Sequence, residues 1–386
     1  MFLKKVLLKI LMLEQPITIS ILAGGASRRF KTYTKQSDKA LAVINDRIIL
    51  ERILTNLAPV ASRINIVTNN FTRQQYYIQI LSSLAPEKLE NSIKQKIHWL
   101  IDSPLLTCSG PLQGAITSML NNFIINVTVP CDVPFLSSEV ITTLRAFLGK
   151  NISTVVPIWS NGRLEPQIAA YRKEQISTSI DGLTSLKRSR IDDLIRASSK
   201  IAFVNIEKTF SLFGSVDQLF ANINRPEAIV KWEKKEQMTP LSSSQNYYLS
   251  KENNFHHYSQ IVQILKNDQK YLLANLKRWV SQNKSKNQLN NLLELANNFF
   301  SKELYFWAGV TFQLLRQLEY SKEFEEAQKN AYIKEMNFWE RHKIYFLSLH
   351  AAQDVLIASS KDIDEGIIEK LEKYRFLMKM KREDKK

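Results

Sequence analysis

Cysteine is nearly missing from this chain: among 386 residues only Cys108 and Cys131 occur. Two cysteines cannot build a disulfide framework and suit a reducing compartment, so a cytoplasmic location is expected. Glycine is scarce too, with 10 residues where ordinary usage of roughly 7% would supply about 27. Eight of the 10 glycines precede residue 233, and all 11 prolines lie at or before Pro240. The rest of the chain has no proline and only Gly309 and Gly366. These residues punctuate turns and end helices, so two differently built parts are expected. Long apolar runs are also missing, none reaching the ~18 residues of a membrane-spanning helix.

What is present is ordinary for a globular protein: 44% hydrophobic and 23% charged residues, enough length for two cores, and no general disorder. The formal charge of +16 is unevenly shared. Residues 1–232 hold 28 lysines and arginines against 17 acidic residues, and the remainder 25 against 20. A polyphosphate substrate accounts for such an excess as well as nucleic acid does, and no nucleic-acid partner is expected. The first thirteen residues, MFLKKVLLKILML, lack a signal-peptide cleavage site. They read as an extension ahead of the fold, and Met12 is an equally good start.

Up to about residue 232, strand-like runs alternate with helical stretches. Ile17–Ala23, Arg63–Thr68, Lys96–Asp102, Ile124–Pro130 and Ile152–Ile158 are apolar, rich in Ile and Val and bounded by turn residues. Helical segments between them include Ile48–Leu57, Arg73–Leu84, Leu112–Asn121 and Ser138–Leu148. The pattern predicts an α/β fold: a mostly parallel, doubly wound, Rossmann-like sheet with ligands at the carboxyl ends of its strands. Residues 236–254 read as a polar, serine-rich linker between a domain over 1–235 and an all-helical domain over 255–386. In the latter, apolar residues recur at spacings of three and four, as in Leu289, Leu292, Leu293, Ala296 and Phe300. Leu318–Ala331 is similar in pattern to one helix of a tetratricopeptide repeat, without the 34-residue self-similarity that would support it.

The chemistry-bearing segment follows the first strand: Leu22-Ala23-Gly24-Gly25, then Arg28-Arg29-Phe30 and Asp38-Lys39. Paired glycines let the backbone approach a ligand, and a turn of exposed N–H groups cradles phosphate oxygens. Arg29 supplies a fork for phosphates and Lys39 a compact point charge. The pattern is neither a P-loop nor a dinucleotide fingerprint. Asp132, a carboxylate directly after a buried strand, fits a Mg²⁺ site completed by substrate phosphates.

With these residues the chain resembles the molybdenum cofactor guanylyltransferases (MobA-like), within the GT-A-type nucleotidyltransferase superfamily. Later segments agree in order: Asp102 followed by Gly110-Pro111-Leu112-Gln113-Gly114, then Pro130-Cys131-Asp132-Val133-Pro134-Phe135, Glu165-Pro166-Gln167, and Asn222-Ile223-Asn224-Arg225-Pro226-Glu227. The resemblance covers residues 17–235. It implies GTP binding by the backbone of Leu22, Ala23, Gly24 and Gly25, by Arg29 and Lys39 on the triphosphate, and by Asp102 on the guanine edge. It also implies Mg²⁺ at Asp132, and Asn222 and Asn224 closing the site by the acceptor. The activity implied is transfer of GMP from GTP to the phosphate of molybdopterin, with release of pyrophosphate. Relatives of the same fold use CTP with a pterin, or a sugar 1-phosphate. A non-catalytic nucleotide-binding or partner-docking protein is the alternative from another class.

Three departures bear on nucleobase specificity. Phe30-Lys31 stands where the family commonly has Met-Gly, ten positions separate Arg29 from Lys39, and a family asparagine falls at Thr68 or Asn69. Plainer readings stand beside these. Gly24-Gly25 makes a tight turn in any case, Asp132 and Asp102 can brace loops, and Cys131 and Cys108 suit small buried positions. His256-His257 lacks a second ligand pair, whereas His342, His350 and the aromatics Phe299–Trp307, Phe338 and Trp339 suit a helical core. The basic end, Lys379–Lys386, reads as a solvated tail. The helical domain is expected to dock an acceptor molybdoenzyme or cofactor carrier, with residues 241–386 dispensable for transfer itself.

Overall fold

Strand β1 (Ile17–Leu22) is buried along nearly its whole length, Thr18 and Ser20 included, as a parallel strand covered on both faces is. The computed structural model describes residues 15–25, 38–121, 124–236, 259–264, 270–280, 286–319, 321–359 and 365–380. The first thirteen residues, Arg28 to Lys31, His256, His257, most of the 236–254 stretch and most of the basic tail lie outside them.

After β1, a two-stranded hairpin joins β2 (Val43–Ile44) to β3 (Arg47–Ile48), with Asn45 and Asp46 at φ 44° and 58° in its two-residue turn. The main sheet continues with β4 (Arg63–Thr68), β5 (Ile97–Ile101), β6 (Ile125–Pro130), β7 (Thr154–Ile158), β8 (Ala169–Arg172), β9 (Lys200–Asn205) and β10 (Ser259–Gln263). Its eight strands lie in the order β10-β9-β7-β8-β6-β1-β4-β5. All run parallel except β8 and β10. The chain moves from β1 to β4 and β5 on one side and then to β6 on the other. The carboxyl ends of β1, β4 and β6 therefore meet at the switch point where such sheets bind ligands.

The principal helices of the first part are α1 (Ile49–Leu57), α2 (Phe71–Ser83), α3 (Gly110–Leu120), α4 (Ser138–Phe147), α5 (Lys173–Ser185), α6 (Ile191–Arg196) and α7 (Pro226–Glu236). Those of the second are α8 (Lys270–Val280), α9 (Lys286–Ser301), α10 (Tyr305–Leu318), α11 (Lys322–Arg341), α12 (Tyr345–Ala358) and α13 (Glu365–Lys379). Helices α1, α2, α4 and α7 cover one face of the sheet, burying Ile17, Ile19, Ile21, Ile64, Ile66, Val127 and Val129. The other face, carrying Val156, Tyr171, Ile201 and Phe203, shares one apolar core with α3, α5, α6 and the helices beyond residue 270. Helix α5 packs on α8, and the side chain of Trp307 seats against Gly182.

Three features of the second part depart from or add to the expected all-helical stretch. Ser259–Gln263 is a strand, paired antiparallel with β9 as the sheet's edge. Its hydrogen bonds come from β9, a partner that local periodicity does not reveal. The helices beyond residue 270 share the sheet's core, so their removal would uncover that face. Finally, α9–α10 and α11–α12 form two hairpins in which Glu303 and Lys343, 40 positions apart, turn at φ 62° and 59°. Leu304-Tyr305-Phe306 follows the first turn and Ile344-Tyr345-Phe346 the second. The period is 40 residues rather than 34.

A buried ion network joins the two parts. Arg196 is fully buried and donates to both carboxylate oxygens of Glu335, at 2.7 and 2.6 Å, to Asp354 at 2.7 Å and to Asp193 at 3.1 Å. His350 Nδ1 lies 2.6 Å from Asp192, so this histidine is packed, as expected. Phe299, Phe306, Trp307 and Trp339 are buried in the same core.

Candidate active site

The crevice at the switch point is built by backbone that leaves β1, β4, β5 and β6. Ala23 N–H donates to Val67 O at 2.8 Å and Asp102 N–H to Thr68 O at 2.8 Å, so the turns after β1, β4 and β5 are held side by side. Gly24 suits this closeness: a Cβ there would lie 3.2 Å from both the backbone N and the Cβ of Asn69, tight enough to push the neighbouring turn aside by a few tenths of an ångström. Of the two candidates for the family asparagine, Asn69 therefore faces the glycine turn. Thr68 is buried, its hydroxyl 3.2 Å from Asn70 O.

At the end of β6, Asp132 is 3% exposed. Its Oδ2 accepts from the ammonium of Lys39, which also lies 3.4 Å from Asn224 Oδ1. The other carboxylate oxygen, Oδ1, is buried with no hydrogen-bond partner among the described residues. Ile223 N–H donates to Asp132 O at 2.8 Å, which pins the segment carrying Asn222 and Asn224 against the strand end. Burial pulls the Lys39 ammonium down, but the Asp132 carboxylate outweighs it and leaves the lysine above its ordinary pKa. Burial pushes the neighbouring Cys131 thiol up to about 12, so it is a packed thiol and not a nucleophile. Cys108 is likewise buried.

Two expected residues, Lys39 and Asn224, thus meet at Asp132, while the Gly24-Gly25 turn follows neighbouring β1 and touches Asn69 and Arg73. Asn222 lies on the same segment but is exposed, and Arg29 is outside the described residues. Asp102 stands on the far wall, its Oδ1 3.2 Å from where a Cβ on Gly114 would sit, so a side chain there would crowd the carboxylate. Burial pushes its carboxyl up to about 6. Glu165 is half-buried and accepts from Trp159 Nε1 at 2.6 Å and Arg163 Nη2 at 3.1 Å. Burial raises its pKa against those partners.

A set of residues that the motifs did not reveal holds Lys39. Asp38 caps the short helical turn Lys39–Leu41 by accepting from Ala40 N–H at 3.1 Å. Its other oxygen accepts from Tyr77 Oη at 2.7 Å and pairs with Arg73 Nε at 3.3 Å. Arg73 Nη1 also donates to Gly25 O at 2.9 Å and to Asn69 Oδ1 at 3.2 Å. Arg73 therefore ties Asp38 to the glycine turn. The local signal is Asn70, which caps α2 directly after β4 and so aims the first turn of that helix into the crevice.

The donor set suits Mg²⁺: a buried carboxylate oxygen without a partner is an open ligand, and hard divalent cations take such oxygens. Among the described residues no group of three or more His, Cys, Asp or Glu could hold a metal. One carboxylate with substrate phosphates and water remains the arrangement these residues can offer. Among the described residues, no helix is long and apolar enough to cross a membrane.

Residues 19–200 match the model of the MobA-like NTP transferase domain. A probable molybdenum cofactor guanylyltransferase of Halalkalibacterium halodurans is 28% identical over 220 residues, covering 55% of this chain and 95% of the relative. One from Pyrococcus horikoshii is 27% identical over 209 residues, covering 54% and 94%. Among solved structures, molybdopterin-guanine dinucleotide biosynthesis protein A of Archaeoglobus fulgidus is similar at 18% identity and a TM-score of 0.45, over 57% of this chain and 100% of that one.

Proposed function

We propose, from the membership of residues 19–200 in the MobA-like NTP transferase family, that this nucleotidyltransferase moves GMP from GTP to the terminal phosphate of molybdopterin or its molybdenum-loaded form. A phosphate oxygen of the acceptor bonds to the α-phosphorus of GTP, and the bond to the bridging oxygen breaks, releasing pyrophosphate. The acceptor phosphate is already ionised, so no general base is needed and catalysis rests on positioning and charge neutralisation.

The observation that carries this reading is the Lys39–Asp132–Asn224 cluster at the switch point, with Asp132 Oδ1 unpartnered among the described residues. Lys39 would neutralise charge on the triphosphate, and Asp132 holds the lysine in place while presenting its free oxygen to Mg²⁺. When bound, that ion would supply Lewis-acid charge neutralisation at the phosphates. Asn224 would close the acceptor side. The backbone of Leu22 to Gly25 lies where a nucleoside can be met without side-chain interference, and Arg29 is assigned to the triphosphate by resemblance. Asp102, on the opposite wall, would accept N–H groups from the guanine edge. The positive excess of the first 232 residues suits an anionic substrate pair.

The test is incubation of the full chain with Mg²⁺, molybdopterin and each nucleoside triphosphate in turn, followed by mass spectrometry. A guanylyl adduct with pyrophosphate is expected. A cytidylyl adduct, or none with any nucleotide, would overturn the assignment.

A further inference from the structure

We infer that Arg188 is a positioning residue through which the helical repeats fix the Asp102 wall of the crevice. The inference rests, for its consequence on substrate binding, on the proposed assignment of that crevice to GTP.

The wall is the loop from Asp102 to Gly110, which links β5 to α3. On its inner side α3 holds it: Ser103 N–H donates to Thr117 Oγ1 at 2.9 Å, and Gln113 Nε2 to Ser103 O at 3.0 Å. On its outer side it rests on the segment following α5. Ser109 N–H donates to Arg188 O at 3.2 Å, and the Thr107 hydroxyl donates to Thr184 O. Gly110, at φ +65°, brings its backbone so close that a Cβ would lie 3.1 Å from Ser189 O. The loop therefore stands where residues 184–189 put it.

That segment is in turn held by side-chain bonds that reach the helical part. Arg188 forks onto Asp193 at 2.8 and 3.1 Å, and its third nitrogen donates to Gln313 Oε1 on α10 at 3.2 Å. Asp354 on α12 lies 3.7 Å away. Tyr332 on α11 lies 3.4 Å from Gln313 Oε1. Beside these bonds opens a cavity of about 640 Å³, lined among others by Leu186, Lys187, Arg188, Gln313 and Gln317. The segment keeps its own backbone bonds to α5, from Leu186 N–H to Gly182 O, Lys187 N–H to Thr184 O and Arg188 N–H to Leu183 O, and the Arg188 side chain adds the link from it to Asp193 and to α10. A planar fork fixes direction as well as distance, which a point charge does not.

Two variants on the side away from the crevice test this in the full chain: Arg188→Gln and Gln313→Ala. Asp193 keeps its 3.1 Å bond from Arg196 in both, so its charge stays compensated. Amide hydrogen exchange of Ser109 reads the brace without any substrate, and steady-state kinetics with GTP reads its consequence. Expected are faster Ser109 exchange and a KM for GTP raised about tenfold, as loss of one charge-assisted hydrogen bond allows, with kcat within about twofold. Arg188→Lys should restore neither. Unchanged Ser109 exchange in both variants would overturn the brace, and faster exchange with unchanged KM would overturn its positioning role. Wild-type chain that binds no GTP would overturn the substrate assignment alone, because the exchange measurement still decides the contact.

Discussion

The Lys39 ammonium occupies one oxygen of the Asp132 carboxylate and leaves the other, Oδ1, buried without a hydrogen-bond partner among the described residues. Such an atom costs free energy unless something fills its coordination, which a bound cation would do. Asp132→Ala should therefore abolish most Mg²⁺-dependent transfer. Lys39→Ala should lower kcat by about 10²–10³-fold, the scale for removing one preorganised charge stabiliser. Rates measured beside circular dichroism melts check that the variants still fold.

Asp102 makes the crevice sensitive to pH. Burial raises its carboxyl to about 6, above the ordinary value of about 3.9. Between those values the folded chain keeps a proton that the unfolded chain has released. Its contribution to stability is thus full below about pH 4 and is lost as pH rises through about 6. Its proposed role needs the ionised form, so the KM for GTP should fall as pH rises through about 6. Asp102→Asn should flatten that profile; an unchanged inflection would assign it to another group.

The Arg196 cluster predicts strong, partner-specific effects on stability. Glu335→Ala takes away two of the bonds to a fully buried guanidinium. Asp354 and Asp193 still compensate the cation, so the loss should be about 1.5–3 kcal/mol, the scale of hydrogen bonds to a charged group. Arg196→Met, by contrast, removes the cation and leaves Glu335, Asp354 and Asp193 facing one another. Urea unfolding of both variants checks this, and a change below about 1 kcal/mol would mean that water reaches the cluster.

Gly182→Ala tests the docking of the helical part. The added Cβ would lie 2.8 Å from the Trp307 ring, so the buried indole or helix α5 must shift to take it. Overpacking of this kind costs about 1–3 kcal/mol. Loss should appear as one cooperative transition, since the sheet face and the helices share a core. Removing residues 241–386 should give an aggregating chain rather than an active fragment, and light scattering of the expressed fragment reads the difference.

Several of these residues were legible in the sequence. The strands ending near Ala23, Thr68 and Pro130 showed as Ile- and Val-rich runs, because a strand buried on both faces cannot hide its composition, whereas the strand ending near Asp102 lies at the sheet's edge and is only partly covered, not buried as its pattern suggested. Lys39, Asp132 and Asn224 were legible because chemistry confines them to strand ends and to ordered motifs. Arg73 and Tyr77 were not. Each is an ordinary residue of a polar helix, and its bond to Asp38 spans a separation that no local pattern records. Strand β10 was hidden for the same reason, as was the 40-residue period, which is carried mainly by two left-handed turns, at Glu303 and Lys343, rather than by matching side chains.

The sequence by itself determined the class of the first part, the turn that can receive phosphates and the carboxylate that can receive a cation, since these follow from local composition and spacing. Tertiary structure alone decided that Lys39 and Asn224 meet at Asp132 and that Asn69 rather than Thr68 faces Gly24. It also decided that the proline-free half is bound into the sheet's core through Arg196, Arg188 and Trp307. Such pairings depend on how distant segments are brought together. A cation finds its carboxylate, and an apolar face its cover, only after the chain has folded.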